Sequence, residues 1–303
     1  EAALSCLENA NNSRISLGIP SSDIHIKKQL KISREELKEL LYNSITYARK
    51  YHHDIEWIAI DAFRSDFNFL LELSISAVEA GAKTITFADS VGFAKPEEII
   101  FTIEKIKSDK RINENIDIGI HCHNDLGLAN ANSIAAVIAG ANLVQCTING
   151  LGERAGNLAL EEFIMAIKTR YKENGLITNI NENLIGKMSK TVEQFSGIKI
   201  HPQKPIVGKN VYSHTSGMHQ DAIIKDINTY QIIDPGSVGL ENFSMPLSHM
   251  SGTKGIKQRL AMLSHKLDDE KIVFLLNLIK KGKFKNNIIS DKELISLIKK
   301  IEN

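Results

Sequence analysis

Five short runs of apolar and β-branched residues, separated by longer stretches of helical period, constrain this chain more than any other feature. They are RISLGIP (14–20), IEWIAID (55–61), KTITFAD (83–89), IDIGIHCH (116–123) and NLVQCTING (142–150). Such a succession is the signature of parallel βα units. The intervening segments carry helix signals where they should. Ser33 with Glu36 makes a capping box, and Pro96 with Glu97 and Glu98 suits a helical first turn. VEAGAKTITFADS and VIAGANLVQCTING repeat one design, a helix closed by a glycine (Gly81, Gly140), then a short turn and a strand. Strands apolar on both alternating sets of positions are covered on both faces, which fits an α/β barrel or a doubly wound open sheet; the barrel is the preferred reading. Asp61, Asp89 with Ser90, His121 with His123, and Asn149 cluster at the carboxyl ends of the strands, where both architectures place their sites.

Beyond about residue 175 the alternation stops and Pro202, Pro205, Gly208, Pro235 and Gly236 break the chain into helices and loops. The expected division is therefore 1–175 for the βα part and 176–303 for a smaller, mainly helical part. Lys266 to Asn303, rich in Lys, Leu and Ile at helical spacing, is expected to form a pair of solvated amphipathic helices. The opening EAALSCLENA reads as the middle or end of a helix, so further sequence is expected upstream.

With 303 residues, 43% of them hydrophobic and 24% charged, the chain can bury a large core. Its 37 Lys and Arg against 36 Asp and Glu give a net charge of +1, which makes no case for nucleic acid or an anionic membrane as main partner. Three dispersed cysteines, Cys6, Cys122 and Cys146, argue for a reducing compartment. No apolar run reaches the ~20 residues of a membrane helix, and no signal segment opens the chain. A cytoplasmic location is expected.

The strongest local signal is HCHND at 121–125. Side chains alternate along a strand, so His121 and His123 point the same way, ~7 Å apart along the chain, while Cys122 points to the other face. That is chelating geometry for Zn, Mn, Fe or Co, against the plainer reading of two hydrogen-bonded histidines. In NGLGERAGN (149–157) a glycine-rich turn leads to Asn157, which by itself reads as the N-cap of the helix LALEEFIMAIK. In SHTSGMHQD (213–221), His214 and His219 alone would be surface histidines, or general acid or base groups if brought over a barrel mouth.

HCHNDLGLA, NGLGERAGNLALEE and IVGKNVYSHTSGMHQD, taken together and in order, resemble the 2-isopropylmalate and homocitrate synthase family over most of the chain, with isopropylmalate synthases most similar. The resemblance implies a TIM-type (β/α)8 barrel, here units 4 to 8, followed by a mainly helical subdomain. It implies a divalent metal (Mn, Zn or Mg) held by His121, His123 and Asn157. His219 and Tyr230 match catalytic positions, and Ser90 matches a threonine that contacts the oxo acid. The implied reaction is a metal-dependent Claisen condensation of acetyl-CoA with 2-oxoisovalerate in leucine biosynthesis, catalysed by a homodimer.

The chain departs from the family at three places. The opening strands with an Arg-Asp pair are missing, which leaves a fragment, a split enzyme or a degenerate product as alternatives. Ile60 stands where a glutamate is usual, while the neighbouring FRSD resembles homocitrate synthases. Feedback inhibition through a leucine-binding regulatory domain is not expected from this chain. Homocitrate or citramalate synthesis, and a disabled scaffold, are the competing readings. A lyase of the hydroxymethylglutaryl-CoA type would lack an extension like 176–303, and a metal-dependent hydrolase would need further ligands on later strands.

Overall fold

In the computed structural model, which describes residues 2–7, 9–240, 246–282, 284 and 288–302, all five apolar runs yield strands. These are β1 (Ile15–Pro20), β2 (Ile55–Ile60), β3 (Thr84–Asp89), β4 (Asp117–Cys122) and β5 (Leu143–Gln145), joined in one parallel sheet of order β1-β2-β3-β4-β5. A doubly wound sheet reverses its strand order at a switch point, whereas a barrel lays each strand beside the one before it. The observed order is that of five successive units of a TIM-type barrel. The helices are α1 (Ala2–Leu7), α2 (Arg34–Arg49), α3 (Phe67–Glu79), α4 (Pro96–Ser108), α5 (Ala129–Ile138) and α6 (Leu160–Ala166), with a π-helical turn, His25–Leu30, after β1.

Helix starts and stops follow the local chemistry. Ser33 Oγ accepts from the Glu36 amide at 3.1 Å and the Glu36 carboxylate accepts from the Ser33 amide at 2.8 Å, closing the capping box of α2. Pro96 opens α4, and Gly81 and Gly140 take φ of 102° and 101° beyond the ends of α3 and α5. Leu37, Leu41 and Ile45, spaced at i, i+4 and i+8 along α2, are fully buried.

Strand alternation sorts the sheet into two unlike faces. Ile55, Trp57, Ile85, Phe87 and Ile120 form a fully buried apolar layer, and Trp57 Nε1 donates to the Ile19 carbonyl at 3.0 Å. The other set is less apolar than expected: strand register places Ser16, Gly18, Glu56, Ile58, Ile60, Thr86, Gly119, His121 and Gln145 on one face. The fifth run is also corrected. Only Leu143–Gln145 is strand, because from Thr147 the backbone pairs with the returning segment 158–160 and not with β4, and Asn149 turns at φ 62°.

The chain divides into two compact units, Glu1–Thr178 and Asn179–Asn303. The second holds α7 (Ile185–Ser196), α8 (Gly217–Lys225), α9 (Thr253–Met262), α10 (Asp269–Lys281) and α11 (Asp291–Glu302), with β6 (Leu247–Ser248) antiparallel to β7 (Ile288–Ile289). The two Lys-rich amphipathic helices are α10 and α11. They are more than solvated faces, since Ile272, Leu275, Ile279, Leu294 and Ile298 bury with Leu247, Ile256 and Leu260 in one apolar cluster. Among the described residues no helix is long and apolar enough to cross a membrane.

Candidate active site

β4 carries His121 and turns Cys122 into the buried layer behind it, and His123 follows directly after the strand's end. Burial there pushes the Cys122 thiol up to about 12, which makes it a packing residue and no nucleophile. The two imidazoles converge: their Nε2 atoms lie 3.4 Å apart and their ring centroids 5.1 Å. Two nitrogens each about 2.1 Å from a tetrahedral ion stand roughly 3.4 Å apart, so the pair is spaced as cis ligands of one metal. Burial, followed by the neighbouring His121, lowers the pKa of His123, which favours the neutral ring that a metal needs.

Asn157 is not the cap of the following helix. α6 begins at Leu160, and the segment around Asn157 instead pairs antiparallel with the end of β4. The Leu158 amide donates to the Cys122 carbonyl at 2.9 Å, and the Asn124 amide donates to the Gly156 carbonyl at 2.9 Å. This clamps Asn157 opposite His123. Its Nδ2 donates to the Leu151 carbonyl at 3.2 Å, whereas its Oδ1 is buried without a hydrogen-bond partner, as is His123 Nδ1. An orphaned amide oxygen held opposite converging histidines is chemically suited to a divalent cation. Among the described residues no group of three or more His, Cys, Asp or Glu gathers at one point, so the donors available are the two imidazoles and this amide.

The rim around the histidines is built from the loops after β2, β3 and β5. Ser90 Oγ accepts from the Asp61 amide at 2.8 Å, and the Ser90 carbonyl accepts from Arg154 Nη2 at 2.7 Å. Arg154 also grips Asp125 through Nε and Nη2, at 2.8 and 3.1 Å, and holds the Asp125 carboxyl below the usual carboxylate range. Asp61, buried at φ 62°, accepts from Ser22 Oγ at 2.5 Å and from Arg64 Nε at 2.7 Å, with His25 Nδ1 at 3.2 Å. Asp89 accepts from the Phe93 amide at 2.8 Å and the Ala94 amide at 3.2 Å, and burial raises its pKa against those bonds. Gly92 lets this loop lie on the HCHND backbone: at φ 59°, a Cβ there would fall 2.6 Å from the Asp125 nitrogen.

Two residues outside the sequence motifs support His121. Gln145 Oε1 lies 2.9 Å from His121 Nδ1, and Gln145 Nε2 donates to Glu56 Oε1 at 3.0 Å. Glu56 is 2% exposed. The signal for it was present, because a charge inside an apolar strand such as IEWIAID requires buried partners.

His219 and Tyr230 belong to the second unit, where their rings stack with centroids 4.0 Å apart at 28°. His214 lies nearby, its pKa lowered by burial and then by His219. The structure thus brings His121, His123 and Asn157 together in one unit and His219 with Tyr230 in the other.

A family model described as HMGL-like matches residues 1–192, and a second, described as homocitrate synthase post-HMGL domain-like, matches residues 206–286. The chain is 41% identical over 298 residues to a 2-isopropylmalate synthase of Dictyoglomus turgidum, an alignment covering 98% of this chain and 59% of that protein. It is 39% identical over 304 residues to methylthioalkylmalate synthase 1, chloroplastic, of Arabidopsis thaliana, covering 98% of this chain and 60% of that one. The chain therefore spans about three-fifths of the length of these curated relatives. Among solved structures, an HMG-CoA lyase from Acenitobacter baumannii in complex with coenzyme A and 3-methylmalate superposes with TM-score 0.54 at 19% identity, over 64% of this chain and 65% of that one, which shows a shared fold. With a family model spanning residues 1–192, more than half of its length, the chain belongs to the HMGL-like family.

Proposed function

We propose that this chain carries the metal site and the post-barrel histidine of an acyltransferase of the 2-isopropylmalate synthase type, which condenses acetyl-CoA with 2-oxoisovalerate. The observation that carries this reading is the convergence of His121 and His123, at 3.4 Å, with Asn157 held opposite at the carboxyl end of a barrel sheet. Identity of about 40% to synthases along nearly the whole chain supports the reaction class. The family is divalent-metal dependent.

His121, His123 and Asn157 would hold the ion, which when bound supplies a Lewis acid at the ketone of the oxo acid. The remaining steps belong to side chains. Ser90, on the loop beside the histidines, presents a hydroxyl to the acid's carboxylate. The His219 imidazole and the Tyr230 phenol move the proton that leaves the acetyl methyl and the proton that reaches the new alcohol. Hydrolysis of the thioester then releases CoA. In this reading, residues 1–175 supply the metal ligands and 176–303 the proton-transfer pair, in a cytoplasmic homodimer.

Ile58 and Ile60 place two alkyl side chains on the site face of β2, with the Ile60 Cδ1 3.3 Å from where a Cβ on Gly18 would lie. Alkyl groups on this face give a second carboxylate no partner, although Ile60 departs from the glutamate usual in the family, and the likeness to a methylthioalkylmalate synthase fits an oxo acid with an alkyl side chain. The test is CoA release from acetyl-CoA by the purified protein with Mn or Zn, offering 2-oxoisovalerate, pyruvate and 2-oxoglutarate separately. Release that depends on 2-oxoisovalerate supports the reading. Release with 2-oxoglutarate alone would reassign the substrate, and a soluble chain inert with all three would refute catalysis by this chain.

A further inference from the structure

Glu56 stands on the same sheet face as His121, two strands away, and does not touch it. Its oxygens accept from three donors: Ser16 Oγ, Thr86 Oγ1 at 2.6 Å and Gln145 Nε2 at 3.0 Å. Gly119 keeps this arrangement open, since a Cβ there would overlap Thr86 Oγ1. A carboxylate surrounded by donors offers acceptors only. Gln145 is therefore compelled to turn its NH2 toward Glu56 and its carbonyl oxygen toward His121 Nδ1, 2.9 Å away. A carbonyl oxygen cannot donate, so Nδ1 carries the ring proton. The neutral ring has only one, which leaves the lone pair on Nε2, the atom that faces His123.

We propose that Glu56 and Gln145 are positioning residues that select the Nδ1–H tautomer of His121, so that its Nε2 lone pair faces the site. The inference rests on the reading of His121 and His123 as metal ligands. With the amide of Gln145 reversed, NH2 would meet Nδ1, the proton would sit on Nε2, and one ligand would be lost. The buried carboxylate makes the two amide orientations unequal, and Gln145, the register partner of His121 on the neighbouring strand, passes that choice on.

The test is the long-range 1H–15N correlation spectrum of the imidazoles in the metal-free 303-residue protein. His121 is expected as the Nδ1–H tautomer in the parent chain and as a mixture, or as Nε2–H, in both Glu56→Gln and Gln145→Met. The second variant keeps the side-chain volume and removes both hydrogen bonds, so it remains informative if the buried Glu56→Gln fails to fold. Zn titration of the same proteins should show binding weakened about 10- to 100-fold in the variants. An Nδ1–H tautomer unchanged in the variants, or Zn affinity equal to that of the parent, would overturn the proposal. Should the parent bind no Zn or Mn, the metal reading falls, and the tautomers of the metal-free proteins still decide what Glu56 and Gln145 do.

Discussion

His214 lends itself to a direct test. Burial, and then its neighbour His219, hold its pKa below the ordinary histidine value. The folded chain thus disfavours the proton that the unfolded chain accepts near pH ~6.5. Between the folded and unfolded values the unfolded state binds more protons, so stability rises with pH there. The contribution is complete above ~6.5 and is lost as pH falls below it. Urea midpoints measured at pH 7.5 and 5.5 should therefore differ less in His214→Gln than in the parent. An equal drop in both would assign the pH dependence to other groups. Ile60→Glu restores, on the site face beside Gly18, the glutamate usual in the family, and it should raise kcat/KM for 2-oxoisovalerate by about tenfold. Unchanged kinetics would remove Ile60 from the substrate pocket. The chelating pair was legible because His121 and His123 flank one residue on a strand, and strand geometry alone puts them on one face. Asn157 taken alone reads as a cap, because it stands shortly before a helix; the resemblance points to the metal instead, and the pairing with β4 shows its buried oxygen. Glu56 could be flagged as a charge inside an apolar run, but its link to Gln145 stayed hidden because it runs across strands, not along the sequence.

The loop after β3 is tightly constrained. The Asp89 carbonyl accepts from the Gly92 amide and from the His123 amide, each at 3.2 Å, so the turn that Gly92 makes and the position of the second histidine share one anchor. Gly92→Ala forces an L residue to φ 59° and drives its Cβ toward the Asp125 nitrogen and the His123 carbonyl, at 2.6 and 2.9 Å. The left-handed conformation alone costs about 1–2 kcal/mol, and the clash with backbone adds to it, so a loss of more than about 2 kcal/mol is expected in urea unfolding. Zn affinity should fall with it, since HCHND must move. Stability within about 0.5 kcal/mol of the parent would mean that the loop relaxes freely and is not an anchor. The ends of α2, α3, α4 and α5, by contrast, were legible: Ser33, Pro96, Gly81 and Gly140 act through contacts within a few residues. The end of β5 was not, because TING continues the apolar pattern while the backbone of Thr147 bonds to Leu158 and Leu160, more than ten positions ahead.

On the scale of the whole molecule, alternation of strand and helix predicted parallel βα units but left barrel and open sheet unresolved, since both obey the same local rules. The strand order resolves them, and order is set by which edges pair in space. The second unit was harder to read. One apolar cluster in it is distributed over α9, α10, α11 and two-residue strands, so each helix alone looks like a solvated amphipathic one, although among the described residues they make a cluster drawn from 247–301. A core so contained should give way without the sheet. Leu275, at its centre and fully buried, loses about 2–5 kcal/mol on truncation to alanine. Hydrogen exchange of Leu275→Ala should accordingly show lost protection in α9, α10 and α11, with the amides of β1 to β5 exchanging as in the parent. Protection falling equally in both units would show instead that the chain unfolds as one cooperative body, and that the strands depend for their stability on a core more than a hundred residues further along.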